Sequence, residues 1–235
     1  VLLVPVSLSA QDLSEDLLLD ELSADYTEDR GGQDVPDPLE GWNRTVFAFN
    51  DSLYSCVLQP LASGYATVVP KEIRQGLDNV FENLRYPIRL INSLFQGKFD
   101  RAAKETGSFL LDSTVGLLGL AEVSTEFESL SSPPPEEDTG QTLGTWGIDN
   151  GFYIVWPVLG PSTLRDTFGR VGDYFLNPLS YLNPSILSTG LKTGHRINSL
   201  SFNPDKYEEL KEGALDPYTA FKDGYLQYRE TQVEK

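Results

Sequence analysis

The chain has 235 residues, 40% of them hydrophobic, one cysteine, one histidine and a net charge of −17. That acidity argues against nucleic acid, whose binding rests on Lys and Arg neutralising phosphates, and against attachment to anionic lipid by a polybasic patch. One cysteine and one histidine leave no internal disulfide and none of the usual metal clusters, so neither a metal nor another cofactor is expected.

Val1 to Ala10 reads as the end of a secretory h-region, and Ser7-Leu8-Ser9-Ala10 ahead of Gln11 has the small-x-small character of a signal-peptidase site. Residues 11–36 form an acidic leader. Residues 1–40 carry eleven acidic groups against Arg30 alone, so −10 of the net charge sits there. With only Leu17, Leu18, Leu19 and Leu22 to bury, the leader is expected to be mobile and dispensable for folding. A single helical domain is expected over residues 37–230, with a tail at 231–235.

Val46, Phe47, Phe49, Leu53, Tyr54 and Val57 recur at helical spacing, and Gln59-Pro60 is expected to end that run. Cys56 lies inside the pattern and reads as a buried small hydrophobe. Pro70 opens a clearer helix. Ile73, Leu77, Val80, Phe81 and Leu84 share one face, expected to bury Leu77 and Phe81, while Lys71, Glu72, Arg74, Asp78 and Glu82 take the other. Tyr86-Pro87 breaks or kinks it, and Ile88, Ile91, Leu94 and Phe95 continue to a stop at Gly97.

A third element uses Phe99, Ala102, Ala103, Thr106, Phe109 and Leu110. It runs into an octet in which Ser113, Thr114, Gly116 and Gly119 permit close helix packing. Arg85, Arg89, Lys98, Arg101 and Lys104 stand out as a basic cluster in an acidic chain. They form either a solvated face of two helices or a mouth that meets lipid phosphates through charge-assisted hydrogen bonds. Ser131-Ser132-Pro133-Pro134-Pro135 reads as a stiff linker.

The next stretch, Glu137 to Asp166, is the most telling. Between Thr139 and Leu164 its only charge is Asp149, whereas connecting segments at a wet surface normally carry more. It reads as apolar backbone pressed against a protein core or a lipid phase. Gly147, Gly151 and Gly160 divide it into segments that can pivot. Phe152, Tyr153, Ile154, Trp156 and Pro157 supply the apolar surface between them, and Phe152 to Trp156 has the content of a strand or hairpin arm. Pro161-Ser162-Thr163 is expected to start a helix carrying Leu164, Phe168, Val171, Tyr174 and Phe175. Asn183-Pro184 caps the next, with Ile186, Leu187, Leu191, Ile197 and Leu200, and Asn203-Pro204 and Asp216-Pro217 open two short helices.

Enzyme motifs are missing: there is no nucleophile elbow, P-loop, zinc-protease pair or dinucleotide fingerprint. Ser162, Asp166 and His195 make a triad only on paper. The expected fold is predominantly all-α, with no run of eighteen apolar residues to cross a membrane.

Several motifs in order resemble the MlaA/VacJ family of outer-membrane lipoproteins. Asp37-Pro38-Leu39-Glu40-Gly41-Trp42-Asn43-Arg44 comes first, then Asn83-Leu84, Phe95-Gln96-Gly97 and Ser113-Thr114-Val115-Gly116. Gly140-Gln141-Thr142-Leu143-Gly144 with Trp146-Gly147, Gly160-Pro161-Ser162, Leu164-Arg165-Asp166 and Asp216-Pro217-Tyr218 follow, over about residues 37–230. The resemblance implies a ring-like domain of amphipathic helices in the inner leaflet of the Gram-negative outer membrane, around a channel for phospholipids mislocalised to the outer leaflet. It further implies transfer to a periplasmic phospholipid-shuttle protein, proximity to trimeric porins, and a hairpin near Gly147–Leu164 beside the channel. The lipid-path or gate candidates are then Gly147, Gly151, Phe152, Tyr153, Ile154, Trp156, Pro157 and Gly160. The headgroup candidates are Arg85, Arg89, Lys98 and Arg101, with Ser113, Thr114, Gly116 and Gly119 packed near the channel.

One departure accompanies this. Family members carry an acylated cysteine after signal cleavage; here Gln11 follows the small-residue run and Cys56 lies within the domain. Two rival readings are a soluble periplasmic lipid-binding protein and a lipid hydrolase.

Overall fold

The computed structural model describes residues 35–127, 129–130 and 137–234. The secretory remnant, nearly all of the acidic leader and the Ser131–Pro135 linker lie outside these residues. Among the described residues the chain is helical but for one hairpin. Helices α1 (Glu40–Leu53), α2 (Gln59–Val68), α3 (Lys71–Leu84), α4 (Tyr86–Phe95) and α5 (Phe99–Thr114) come first. The short α6 (Thr139–Thr145) precedes the antiparallel strands β1 (Tyr153–Trp156) and β2 (Gly160–Thr163), paired with Tyr153 opposite Thr163 and Trp156 opposite Gly160. Then come α7 (Leu164–Leu176), α8 (Ser185–Leu200), α9 (Lys206–Gly213) and α10 (Pro217–Glu234).

Neighbouring elements close a circuit. α2 lies on α8, α8 on α3, α3 on α4, α4 on α6, α6 on α10, α10 on β2, and β1 on α1. This is the ring-like helical order expected.

Several expectations are corrected in detail. No break occurs at Gln59-Pro60, because α1 passes through a π-helical turn (Tyr54–Leu58) into α2. The Gln59 N–H donates to the Tyr54 carbonyl five residues back. The widened turn accommodates Pro60, whose ring would strike the carbonyl four residues before it in a regular helix. Cys56, on that turn, is exposed rather than buried. Pro161 to Thr163 belong to β2, and α7 starts only at Leu164, where the Thr163 hydroxyl caps it by accepting from the Asp166 N–H. The domain begins earlier than residue 37: Val35 joins the core with Val46, Tyr153, Val155, Tyr218, Tyr225 and Leu226, and the Pro36 carbonyl accepts from Tyr153 N–H at 3.0 Å. At the other end α10 is long and runs on to Glu234 with Gln232 buried, so residues 231–234 are helix, not tail.

The largest correction concerns direction. On α3 the buried stripe is Arg74, Asp78 and Glu82, joined by Gly76 and Asn79, while Ile73 and Leu77 face outward. The periodicity is as expected, but the charged face is the buried one; of the apolar face Leu77 is exposed with Ile73, and Phe81 is half-buried with Val80 and Leu84. α5 repeats this, burying Glu105 and Asp112 and exposing Phe99 and Leu110. So does α7, burying Arg165, Asp166 and Gly169 and exposing Phe168, Val171, Tyr174 and Phe175. Among the described residues thirty large apolar side chains are exposed and fifteen hydrophobic residues are buried. Scattered exposed apolar residues are ordinary; contiguous helical faces of them mark a surface that meets lipid or protein.

Close packing in the ring depends on glycines at α6 and α7. A Cβ added at Gly169 would lie 2.4 Å from the Gly140 nitrogen and 2.6 Å from its Cα, a clash with backbone that no side-chain rotation relieves. Gly169→Ala is therefore expected to destabilise the fold by about 1–3 kcal/mol, read as a fall in thermal midpoint in detergent. An unchanged midpoint would mean that α6 and α7 shift apart freely.

Candidate functional site

The hairpin sits against α1 and α10. Tyr153 and Val155 point inward, with Tyr153 only 1% exposed and its ring edge-on or tilted to Tyr218 and Tyr225. Phe152, Ile154 and Trp156 are half-buried, the Trp156 indole donates to Thr167 Oγ1 at 3.0 Å, and Pro157, Val158 and Leu159 stand out at the tip. Gly147, Gly151 and Gly160 all have positive φ, a conformation that glycine adopts without strain. The base is fixed, however. Asn43 is fully buried; its amide nitrogen donates to the Tyr153 carbonyl (3.1 Å) and its oxygen accepts from Val155 N–H (2.8 Å). One side chain thereby fills the ladder positions that a third strand would occupy.

Inside the ring lies a charged interior. The Arg229 guanidinium donates to Asp138 (2.6 and 3.0 Å) and to Asp166 (2.8 and 3.1 Å), and the Tyr225 hydroxyl donates to Asp166 at 2.7 Å. Burial pushes the Asp166 carboxyl up, but the charge and hydrogen bonds of Arg229, with the Arg165 charge and the Tyr225 hydroxyl, together hold the group below the usual carboxylate range. Asp138 caps α6, accepting from Gln141 N–H at 2.7 Å. Asp173 accepts both from the Thr139 amide (3.0 Å) and from its hydroxyl (2.7 Å).

Burial and the nearby Asp138 charge push Asp173 up to about 6. The folded protein thus holds this proton more tightly than the unfolded chain, so the stability that it contributes is full below about pH 4 and is lost as pH rises through about 6. Asp173→Asn keeps an acceptor for Thr139 and removes the charge. It is expected to raise stability at pH 7.5 by about 1–3 kcal/mol with no gain at pH 4; an equal change at both values in denaturant titrations would contradict this.

The basic cluster faces carboxylates. Arg89 Nε donates to Glu105 (2.8 Å) and its Nη1 to the Glu82 carbonyl (2.8 Å); Arg85 and Arg89 both lie 3.5 Å from the Glu82 carboxylate. Lys98 (3.0 Å) and Arg101 share Glu137 Oε1, and Gln96 donates to Oε2 at 2.7 Å. Burial, then the Arg101 charge, lowers the Lys98 ammonium; burial also lowers Arg101, against a smaller pull from Glu105.

Ser113 and Thr114 close α5, and the rest of the octet, Val115 to Leu120, is a loop rather than a helix seam. A Cβ on Gly119 (φ +93°) would lie 2.7 Å from Asn83 Cβ, and Ser113 Oγ accepts from Asn83 Nδ2 at 2.9 Å. The small residues therefore bring the loop onto α3, with Gly116 buried, while Thr114 is exposed and bonds its own helix.

His195 stacks on Phe81 (4.4 Å between centroids) and pairs with the fully buried Asp78 (3.1 Å), whereas Asp166 is taken by Arg229 and Tyr225 and Ser162 lies 3.2 Å from the Thr167 hydroxyl. The paper triad is not assembled. Arg229 escaped the sequence reading, and Asn43 and Asp138 stood in the stretches it singled out without a role. Asp138 carried a local signal, a capping residue three positions before a glutamine, and Asn43 lay in the Asp37–Arg44 motif.

Residues 35–232 match the family described as MlaA lipoprotein. The chain belongs to the MlaA lipoprotein family. The intermembrane phospholipid transport system lipoprotein MlaA of Haemophilus influenzae is 31% identical over 204 residues, covering 84% of this chain and 79% of the relative. Its Escherichia coli namesake is 31% identical over 192 residues, covering 81% and 76%. An uncharacterized protein of Rickettsia felis is 30% identical over 207 residues, covering 88% and 81%. A chain solved in a study of how bacterial outer membrane lipid asymmetry is maintained superposes with a TM-score of 0.75 at 31% identity, covering 84% of this chain and 99% of that one. The family match thus includes Val35, a member of the buried core.

Proposed function

We propose that the protein is the outer-membrane component of an intermembrane phospholipid transport system, a channel that removes mislocalised phospholipids from the outer leaflet and so maintains lipid asymmetry. The observation that carries this reading is the reversed amphipathicity of α3, α5 and α7, apolar outward and charged inward. Among the described residues no helix is long and apolar enough to cross a membrane. Helices of this kind suit a ring lying in one leaflet, tails outside and a polar interior for a headgroup. The Haemophilus and Escherichia relatives, lipoproteins of an intermembrane phospholipid transport system, support the same reading. Closed soluble lipid carriers have less reason to leave such faces bare.

In this proposal the hairpin from Gly147 to Gly160 borders the path, with its tip at Pro157 as the moving part. Arg85, Arg89, Lys98 and Arg101 meet the phosphate in passing, Arg89 being the most enclosed of the four. The lipid then goes to a periplasmic phospholipid-shuttle protein, with trimeric porins as neighbours in the membrane.

The test is complementation of Gram-negative cells that lack their own MlaA, reading phospholipid in the outer leaflet. Restored asymmetry is expected; persistent surface phospholipid with the protein present and folded overturns the proposal. Lys98→Gln leaves Arg101 and Gln96 on Glu137, so its thermal midpoint should move by no more than about 2–4 °C while asymmetry is restored less fully. Full restoration would return Lys98 to a purely structural ion pair.

A further inference from the structure

The carboxylate of Glu137 sits where an anion would be received. Its Oε1 accepts from Lys98 Nζ at 3.0 Å and from Arg101 Nη1, and its Oε2 accepts from Gln96 Nε2 at 2.7 Å. The donors come from the turn between α4 and α5 and from the first turn of α5, whereas Glu137 enters from the segment before α6. Its side chain is 1% exposed, so the carboxylate fills the seat, while Lys98 and Arg101 stay partly open to solvent. Two cations share one oxygen. Beside them Gln96 Oε1 is buried with no partner among the described residues. A buried acceptor left unpaired is costly, and this one lacks a donor from the chain.

A phosphodiester matches the seat in charge and in form. It carries one negative charge, as Glu137 does, and offers two non-bridging oxygens to the same charge-assisted donors. Exchanging one for the other leaves neither cation buried without a partner, the arrangement that would cost most. A hydroxyl or ammonium group next to a lipid phosphate supplies the donor that Gln96 Oε1 lacks. Glu137 can leave without unravelling its surroundings. Asp138, the next residue, caps α6 at the Gln141 N–H and is held twice by Arg229, so rotation of the Glu137 side chain suffices.

We propose that Gln96, Lys98 and Arg101 form a phosphate-binding seat that Glu137 occupies as an internal stand-in, displaced when a phospholipid headgroup arrives. This deepens the function proposed above and rests on it for the source of the phosphate. The seat is open only for the fraction of time that Glu137 is away, and its apparent affinity falls by that fraction. A point on a path must release what it binds, and the returning Glu137 supplies the release.

The experiment titrates the full chain, in a phosphate-free maltoside detergent, with dihexanoylphosphatidylglycerol and separately with inorganic phosphate. Affinity is read by calorimetry, and the place of binding by the side-chain amide resonances of Gln96. Glu137→Gln is expected to tighten binding of the short-chain lipid by about tenfold or more, and adding Lys98→Gln should remove the gain. Glu72→Gln, which removes an exposed carboxylate elsewhere, should change affinity by less than about twofold at physiological salt. In the unaltered chain, high lipid concentrations should move the Gln96 signals to where they stand in lipid-bound Glu137→Gln. An ion pair with a purely structural role would stay closed and leave them unmoved. Affinity unchanged by Glu137→Gln, an equal gain from Glu72→Gln, or unmoved Gln96 signals in the unaltered chain each overturn the seat. If Glu137→Gln does not fold, Glu137→Asp, shorter by one methylene, should tighten binding severalfold, and no gain there overturns the seat equally. Tightening for inorganic phosphate without tightening for the lipid overturns the headgroup as occupant. These are binding measurements, so failed complementation would remove the transport role while the titrations still decide the seat.

Discussion

Replacing Arg229 with methionine is expected to lower the unfolding free energy by about 3–5 kcal/mol at pH 7. Methionine keeps much of the buried stem and removes the charge. Asp138 and Asp166 then lose two hydrogen bonds each, at 2.6–3.1 Å, with Asp166 nearly inaccessible to water. For a domain of this size that is a fall in thermal midpoint of roughly 10 °C. The pH dependence gives a second readout. In the unaltered protein the folded Asp166 carboxyl lies below its unfolded value, so it contributes stability above the unfolded pKa that is lost as pH falls through the folded one. Without Arg229, burial is opposed only by Arg165 and the Tyr225 hydroxyl. The folded value rises, and the deficit of the variant shrinks as the pH is lowered from 7 toward 4. A deficit of the same size at pH 4 and pH 7, measured by denaturant titration in detergent, would show that lost packing around the stem is the whole effect.

Such charged interiors explain what was readable in the chain and what was not. The helices α3, α4, α5 and α7 follow from period and punctuation: Pro70 and Pro87 start two of them, and Gly97 with positive φ closes α4. Periodicity reports that a helix has two unlike faces. It does not report which face points inward, because that depends on the surrounding solvent, and here Arg74, Asp78 and Glu82 take the inside. Cys56 was misplaced for the same reason, together with a π-turn whose five-residue bond leaves no mark in residue type. The unusual backbone angles at Gly147, Gly151 and Gly160 were legible because a positive φ favours glycine. Partnerships across the ring were not: Arg229 with Asp138 and Asp166, or Asn43 with Tyr153, join residues up to 110 apart, and such polar residues are locally indistinguishable from solvated ones.

The outward face of α7 offers the sharpest trial of the membrane reading. Phe168 and Phe175 lie two turns apart on that face, 63% and 62% exposed. The buried residues Arg165, Asp166 and Gly169 lie on the opposite side of the same helix. Transferring each ring into hydrocarbon is worth about 1.5–3 kcal/mol. The double substitution Phe168→Glu with Phe175→Glu forfeits both and adds two charges that resist the bilayer. Partition of the folded protein onto phospholipid vesicles is therefore expected to drop by roughly two to four orders of magnitude. In detergent the thermal midpoint should barely move, since neither ring fills the interior. The two measurements pull apart the competing uses of an apolar helical face. A face packed on protein would cost stability in detergent and leave vesicle binding alone; a face bathed in acyl chains does the reverse. Vesicle binding that survives both substitutions would place the membrane contact elsewhere on the ring.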